Sequence, residues 1–162
     1  MINGIDTEIV KILQKNARTS NAEIARKVGL APSAVFERIR KLEEKGIIRG
    51  YHADVDPRAV ALGQLAFMFI RSTDRPMAVG TAAQLAKVPE ILELHHVAGE
   101  DCFLAKVRAR DAEALGRLLR ERLSRIESIT STRTTIVLET VKEIVELPIG
   151  ASEQEDEEAA SA

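Results

Sequence analysis

Ser33, Ala34, Glu37, Arg38, Arg40 and Lys41 crowd small, polar and basic side chains into nine residues of a 162-residue chain. Such groups meet base edges and phosphates, so the chemistry offered is duplex recognition rather than bond making. Taking about 100° per residue and setting Val35 at zero, Ile39 and Leu42 fall within roughly 40° of it and form a buried seam. Ser33, Glu37, Arg40 and Lys41 then lie on the far side, with Ala34 beside them and Arg38 on the flank. A short helix with an apolar back and a small, polar, basic front suits a DNA major groove. An ordinary amphipathic surface helix carries the same pattern, so the neighbouring residues must decide.

The other reactive groups do not assemble a catalyst. His95 and His96 are adjacent on a predicted strand and point to opposite faces, which keeps them from sharing a metal. Cys102 as a nucleophile would need a base brought from distant parts of the fold, and a free cysteine usually packs as a small hydrophobe. The expectation is a protein that is not an enzyme and holds neither metal nor cofactor.

The elements that position the first group are legible in the residues before it. Pro32 suits a first helical position and Gly46 the residue past a helix end. Upstream, Asp6 is the expected cap of a helix running to about Asn16, with Ile5 and Val10 at staple positions and Ile9, Ile12 and Leu13 as its apolar stripe. Ser20-Asn21-Ala22-Glu23 reads as a reciprocal capping box, opening a helix that turns Ile24, Ala25 and Val28 inward and stops at Gly29. Only Leu30 and Ala31 separate that stop from Pro32. Two short helices joined by so tight a turn read as a helix-turn-helix, whose second helix enters the groove.

The formal net charge of −2 hides a strong asymmetry. Residues 1–50 hold ten basic against six acidic side chains, a surplus of four positive charges. A basic head on a near-neutral body is the footprint of phosphate contacts. Residues 151–162 carry five acids (Glu153, Glu155, Asp156, Glu157, Glu158) and no base. That tail has too little apolar surface to offset ordering and is expected to be disordered from residue 149. It is either a solvated end that aids solubility or a tethered anion that competes with DNA for the head. No apolar run approaches the ~18 residues of a membrane span, and no signal peptide is visible. With the single Cys102, these features point to the cytoplasm.

Downstream, Ile47 to Pro57 reads as an extended wing or hinge strand, with the domain boundary near Asp56. A strand over 65–71 is apolar on both faces, so a second protomer is expected to cover one of them. Then follow a helix over 76–87, a strand over 90–97, a hairpin turn at Gly99-Glu100-Asp101 and a strand over 102–109. Asp111 caps a helix whose stripe is Leu115, Leu118, Leu119, Leu123 and Ile126, and β-branched residues over 128–141 close the order β-α-β-β-α-β. The fold class is therefore α+β: a winged helix-turn-helix over 1–55, a ferredoxin-like domain over 56–148, and the acidic tail over 149–162.

In its residues the chain resembles the Lrp/AsnC, or feast/famine, family. The matching stretches are Ile5-Asp6 with Ile9 and Leu13-Gln14, Asn21-Ala22-Glu23-Ile24-Ala25, Val28-Gly29-Leu30, Arg38-Ile39 with Leu42-Glu43, and Gly46-Ile47-Ile48 with Gly50-Tyr51. The second domain adds Val97-Ala98-Gly99, Thr132-Arg133-Thr134, and Glu139 with Val141-Lys142. The resemblance implies a regulator binding double-stranded DNA, associated with the nucleoid, whose second domain (the RAM or AsnC type) senses a free amino acid. It implies dimers formed through the sheet faces that assemble further, the expected form being an octamer of dimers in a ring. The effector pocket it implies lies between dimers, at Gly99, Glu100, Asp101 and Cys102 with Thr134 and Ile136. Arg133 is read as a structural partner for an acid near the assembly interface.

Two positions depart from the family pattern. Ala31 stands where the family usually has a capping Ser, a loss of about 1 kcal/mol. Cys102 stands where the hairpin usually has Asp, so the acid that meets an effector's amino group either shifts to Asp101 or Glu100 or is absent. The rival expectation is an architectural protein that compacts DNA and has no effector.

Overall fold

The computed structural model describes residues 2–74, 79–99 and 101–149. They divide into two compact units, residues 2–54 together with 143–149, and residues 55–142. The expected boundary near Asp56 lies close to the first crossing, whereas the chain returns to the first unit before residue 148.

In the first unit, α1 spans Gly4–Lys15, α2 Asn21–Val28 and α3 Pro32–Glu44. Ile9, Leu13, Ile24, Ala25, Val35 and Leu42 form its core, with Ile12, Val28 and Ile39 packed against them. The seam read from the α3 periodicity is therefore the buried one. The cap of α1 is Asn3 rather than Asp6: the Asn3 side-chain oxygen accepts from the Asp6 N–H at 2.8 Å. Starting three residues earlier leaves the Asp6 carboxylate in the first turn, where the helix dipole favours it, and lets it accept from Arg38 Nη1 at 2.8 Å. Ile2, one residue before the true cap, packs on the head core, so the Ile5–Val10 staple is also corrected.

Ser20 caps α2 by accepting from the Glu23 N–H at 3.2 Å. The returning half of the box is replaced, because the Glu23 carboxylate pairs with Lys27 one turn on, at 3.1 Å. Gly29 ends α2 with φ +69°, a left-handed conformation that suits glycine. Ala31 gives α3 no side-chain cap. Past Gly46, the N–H groups of Ile47 and Ile48 both donate to the Leu42 carbonyl and fold the chain back on α3. The expected wing strand is not formed: residues 49–56 carry no ladder, since an extended segment becomes a strand only beside a partner. Residues 143–149 complete the unit as a strap. Leu147 N–H donates to Gln14 Oε1 at 2.9 Å and Gln14 Nε2 donates back to the Leu147 carbonyl at 3.2 Å.

The second unit is built from β1 Gln64–Ser72, α4 Val79–Leu85, β2 Ile91–His96, β3 Phe103–Ala109, α5 Ala112–Glu121, a 3-10 turn Leu123–Arg125 and β4 Ile129–Ile136. The sheet order is β2-β3-β1-β4 with every neighbour antiparallel, the split βαββαβ arrangement. Alternation sends Met68, Ile70, Phe103, Ala105 and Val107 into one core with Leu85, Leu115, Leu118, Leu123 and Ile126. Both helices lie on that face. Phe67, Phe69 and Leu104 alternate to the other face and stay partly exposed.

The expected start of α4 at Pro76 falls outside the described residues, as does the tail beyond Ile149. β4 ends at Ile136, five residues short of the expected Val141. Val137 N–H donates the last rung to Leu65 at 3.0 Å, and β1 begins one residue earlier, so no partner backbone remains. Leu138 and Val141 are left 97% and 92% exposed.

One polar group lies deep in this unit. Thr81 is fully buried; its N–H and hydroxyl both donate to Asp74 Oδ2, at 2.8 and 2.6 Å. A hydroxyl has one proton, so the contact between Thr81 and Ser128 runs with Ser128 as donor. The two Thr81 bonds hold the Asp74 carboxyl below its ordinary value. A depressed carboxyl contributes stability above its unfolded value, near 3.8, and loses it as the pH falls through the folded value. Asp74→Asn should therefore flatten the fall in Tm below about pH 4, measured by thermal melts of both proteins at pH 2.5–7. Parallel curves would assign the acid sensitivity elsewhere.

Candidate nucleic-acid interface and effector turn

On α3, Ser33, Glu37, Arg40 and Lys41 are exposed together, Ala34 is half-buried beside them and Arg38 is half-buried on the flank. Arg38 does not stand free at this face, since its guanidinium ties α3 to α1 through Asp6. Arg40 is clamped along its own helix, Nη2 to Glu37 Oε2 at 2.8 Å and Nη1 to Glu44 Oε1 at 3.5 Å. Those two carboxylates, Glu37 foremost, raise its pKa further. Phe36, 54% exposed, borders the same face and escaped the sequence reading. Its place about 100° from Val35, off the seam, was the available signal.

Internal pairing sharpens the charge of the head. Asp6, Glu8, Glu23, Glu37 and Glu44 are matched by Arg38, Lys11, Lys27 and Arg40. Glu43 instead accepts from the Tyr51 hydroxyl at 2.8 Å, and burial together with this carboxylate pushes the Tyr51 phenol up to about 12. Lys15, Arg18, Arg26, Lys41, Lys45 and Arg49 are left with no acidic partner among the described residues. Those six cations remain available to phosphate.

In the second unit the turn between β2 and β3 is closed by Val97 N–H donating to the Cys102 carbonyl at 3.1 Å. Gly99 takes φ +125°, which a residue with a side chain would resist. Glu100 lies outside the described residues. Cys102 is half-buried against the core, its N–H on the Ile70 carbonyl at 2.9 Å and its sulfur beside the Ser72 backbone, so it holds the turn to β1. Asp101 is the focus: Oδ1 accepts from Arg71 Nε at 3.4 Å and Oδ2 from Arg133 Nη2 at 3.3 Å. The Arg133 guanidinium also lies 4.0 Å from the Phe69 ring centroid. Arg133 thus has the acidic partner expected for it, and Arg71 is an addition.

Thr134 and Ile136 are not brought to this cluster. They pair across from Met68 and Ala66 and share the helix-bearing face, whereas Arg133 pairs across from Phe69 on the other. His95 and His96 also part to opposite faces: the His96 ring lies tilted against Phe103 with centroids 4.5 Å apart, while His95 sits 3.6 Å from Glu93. Among the described residues no group of three or more His, Cys, Asp or Glu is placed to hold a metal, and no helix is long and apolar enough to cross a membrane.

Comparison with known proteins finds two family matches along the chain. Residues 2–49 match the family described as winged helix-turn-helix DNA-binding, and residues 65–147 the Lrp/AsnC ligand binding domain. The chain is 38% identical over 148 residues to the HTH-type transcriptional regulator FL11 of Pyrococcus horikoshii, covering 91% of this chain and 97% of that one. It is 38% identical over 146 residues to the leucine-responsive regulatory protein of Escherichia coli, covering 88% of each. Among solved structures, a transcriptional regulator of Neisseria meningitidis in complex with L-methionine superposes with a TM-score of 0.85 at 28% identity, over 93% of this chain and 98% of that one.

Proposed function

This chain belongs to the Lrp/AsnC family of DNA-binding transcriptional regulators, and we propose that it reads specific duplex sites through α3 under the control of a free amino acid. The observation that carries the first part is the exposed face of Ser33, Glu37, Arg40 and Lys41 on a head where six cations have no acidic partner among the described residues. Ala34 and Arg38 flank that face, and Arg38 would share its guanidinium with Asp6. Residues 1–55 would serve as the DNA-binding part and residues 56–148 as the effector-binding and oligomerisation part, the last of these, from Glu143, returning to the first compact unit.

Selection from random duplexes, followed by footprinting, tests the reading. Discrete sites at a defined spacing support it, and uniform coating of any duplex points to an architectural protein. Within the selected site, Arg40→Ala should cost about 1–3 kcal/mol and relax preference at one base pair. Equal losses on every sequence, with a salt slope lower by about one, would make Arg40 a phosphate contact instead.

The amino-acid part rests on the Lrp/AsnC ligand binding domain and on the L-methionine held by a structural neighbour. The site we propose is the turn Gly99, Glu100, Asp101 and Cys102 with Thr134 and Ile136. Because Asp101 and the two β4 residues lie on opposite faces of one sheet, they would meet across protomers. We place a second copy on the open face that carries Phe67, Phe69 and Leu104, and further dimers beyond it in a ring, up to an octamer of dimers. The protein would act in the cytoplasm, on the nucleoid.

A further inference from the structure

The exposed side of α3 holds a large apolar side chain that the core of its own unit does not use. Phe36 is 54% exposed and stands outside both the head core and the partly buried residues packed on it. Its place is set by Val35, which is fully buried one residue earlier. At about 100° per residue Phe36 falls between that seam and the polar front, with Ser33 one turn before it and Arg40 one turn after. Pro32 and Ser33 are exposed as well. A helical side chain covers the turn before its own Cα. The Phe36 ring therefore belongs to the start of α3, the end of a recognition helix that meets base edges.

The long polar groups beside it are committed to each other. Arg40 is held by Glu37 and Glu44 at 2.8 and 3.5 Å, so a base contact from Arg40 or Glu37 must first loosen that clamp. Phe36 gives up only water. Apolar area removed from water on binding is favourable in proportion to its extent. The major groove offers one apolar group for it to meet, the C5-methyl of thymine. We propose that Phe36 is a specificity-determining residue that reads a thymine methyl group in the specific site. The other three bases carry no methyl on that edge, and a ring placed there meets polar groups or a gap. This inference rests on the reading of α3 as the groove-bound helix.

The test begins with the parent protein and altered DNA. In the duplex selected as its specific site, each thymine is replaced in turn by deoxyuridine, which removes the methyl and no hydrogen-bonding group. By fluorescence anisotropy, one position in each half-site should weaken binding by about fourfold, the value of one buried methyl. Phe36→Ala and Phe36→Asn proteins are then measured on the same duplexes. Both should bind the specific site about tenfold more weakly than the parent. Both should stay within about twofold of it on a duplex of arbitrary sequence, where phosphate contacts set the affinity. At the sensitive position, both should bind the thymine and deoxyuridine duplexes alike. A parent indifferent to every deoxyuridine, or a selected site without thymine, overturns the proposal. So do variants that keep the parent's preference for the methyl. Equal losses on specific and arbitrary duplexes also overturn it, assigning Phe36 to the fold of the head. Failure to select any specific site is a separate outcome: it overturns the reading of α3, and this proposal with it.

Discussion

A Leu104→Glu protein should sediment as a monomer at micromolar concentration while keeping the parent's circular dichroism. Leu104 sits mid-sheet on the open face, opposite Phe69 on one side and His95 on the other. In a single chain the new carboxylate stays in water and costs the fold little. Under a second protomer it would be buried with the neighbouring basic groups already engaged, Lys106 and His95 by Glu93 at 3.0 and 3.6 Å and Arg133 by Asp101 at 3.3 Å. An uncompensated buried charge costs about 3–5 kcal/mol. A two-fold interface meets the change twice, so the dimer constant should weaken by about 10⁴-fold or more. Analytical ultracentrifugation of both proteins decides it. A Leu104→Glu dimer as tight as the parent would move the interface off this sheet.

Asp101→Ala should abolish the response to the effector and leave basal DNA binding intact. A carboxylate offers about four acceptor positions, and here two long contacts, from Arg71 and Arg133, use one on each oxygen. Room remains for an ammonium group, with the two guanidinium groups holding the acceptor in place. Charged hydrogen bonds of this kind contribute about 1.5–3 kcal/mol, so amino-acid affinity should fall about 10- to 100-fold. Calorimetry with each of the twenty amino acids, on parent and variant, measures this. A parent that binds none of them would end the effector reading. A variant that binds as well as the parent would transfer the role to Glu100.

What the sequence showed and what it hid divides along the range of the interactions. The α3 seam of Val35, Ile39 and Leu42 was legible because helical periodicity is local, and so were the Ser20 and Asp111 caps. The Asn3 cap was missed because Asp6, three residues on, offers the same capping chemistry; only the pull of Arg38, 32 residues away, separates the two. Strand length failed for a similar reason. Thr130 to Val141 is β-branched throughout much of its length, yet β4 can extend only as far as β1 has backbone to offer. The turn at Asp101 was visible, but Arg71 was not implicated, since its approach depends on the register of β1 against β3. Arg40 was read only as part of the exposed front of α3; its clamp to Glu37 and Glu44 went unread although both stand at helical spacing from it.

The strap has a consequence for the order of synthesis. Its bonds join Gln14 to Leu147, 133 residues apart, while α1, α2 and α3 pack through contacts within the first 48 residues. Short-range contacts form fastest, and N-terminal domains fold while the rest of the chain is still being made. A nascent chain therefore carries a folded three-helix head before the sheet of the second unit exists. The strap can close only after translation has passed Leu147, so the end of α1 is latched after the head has packed and after the sheet has been made.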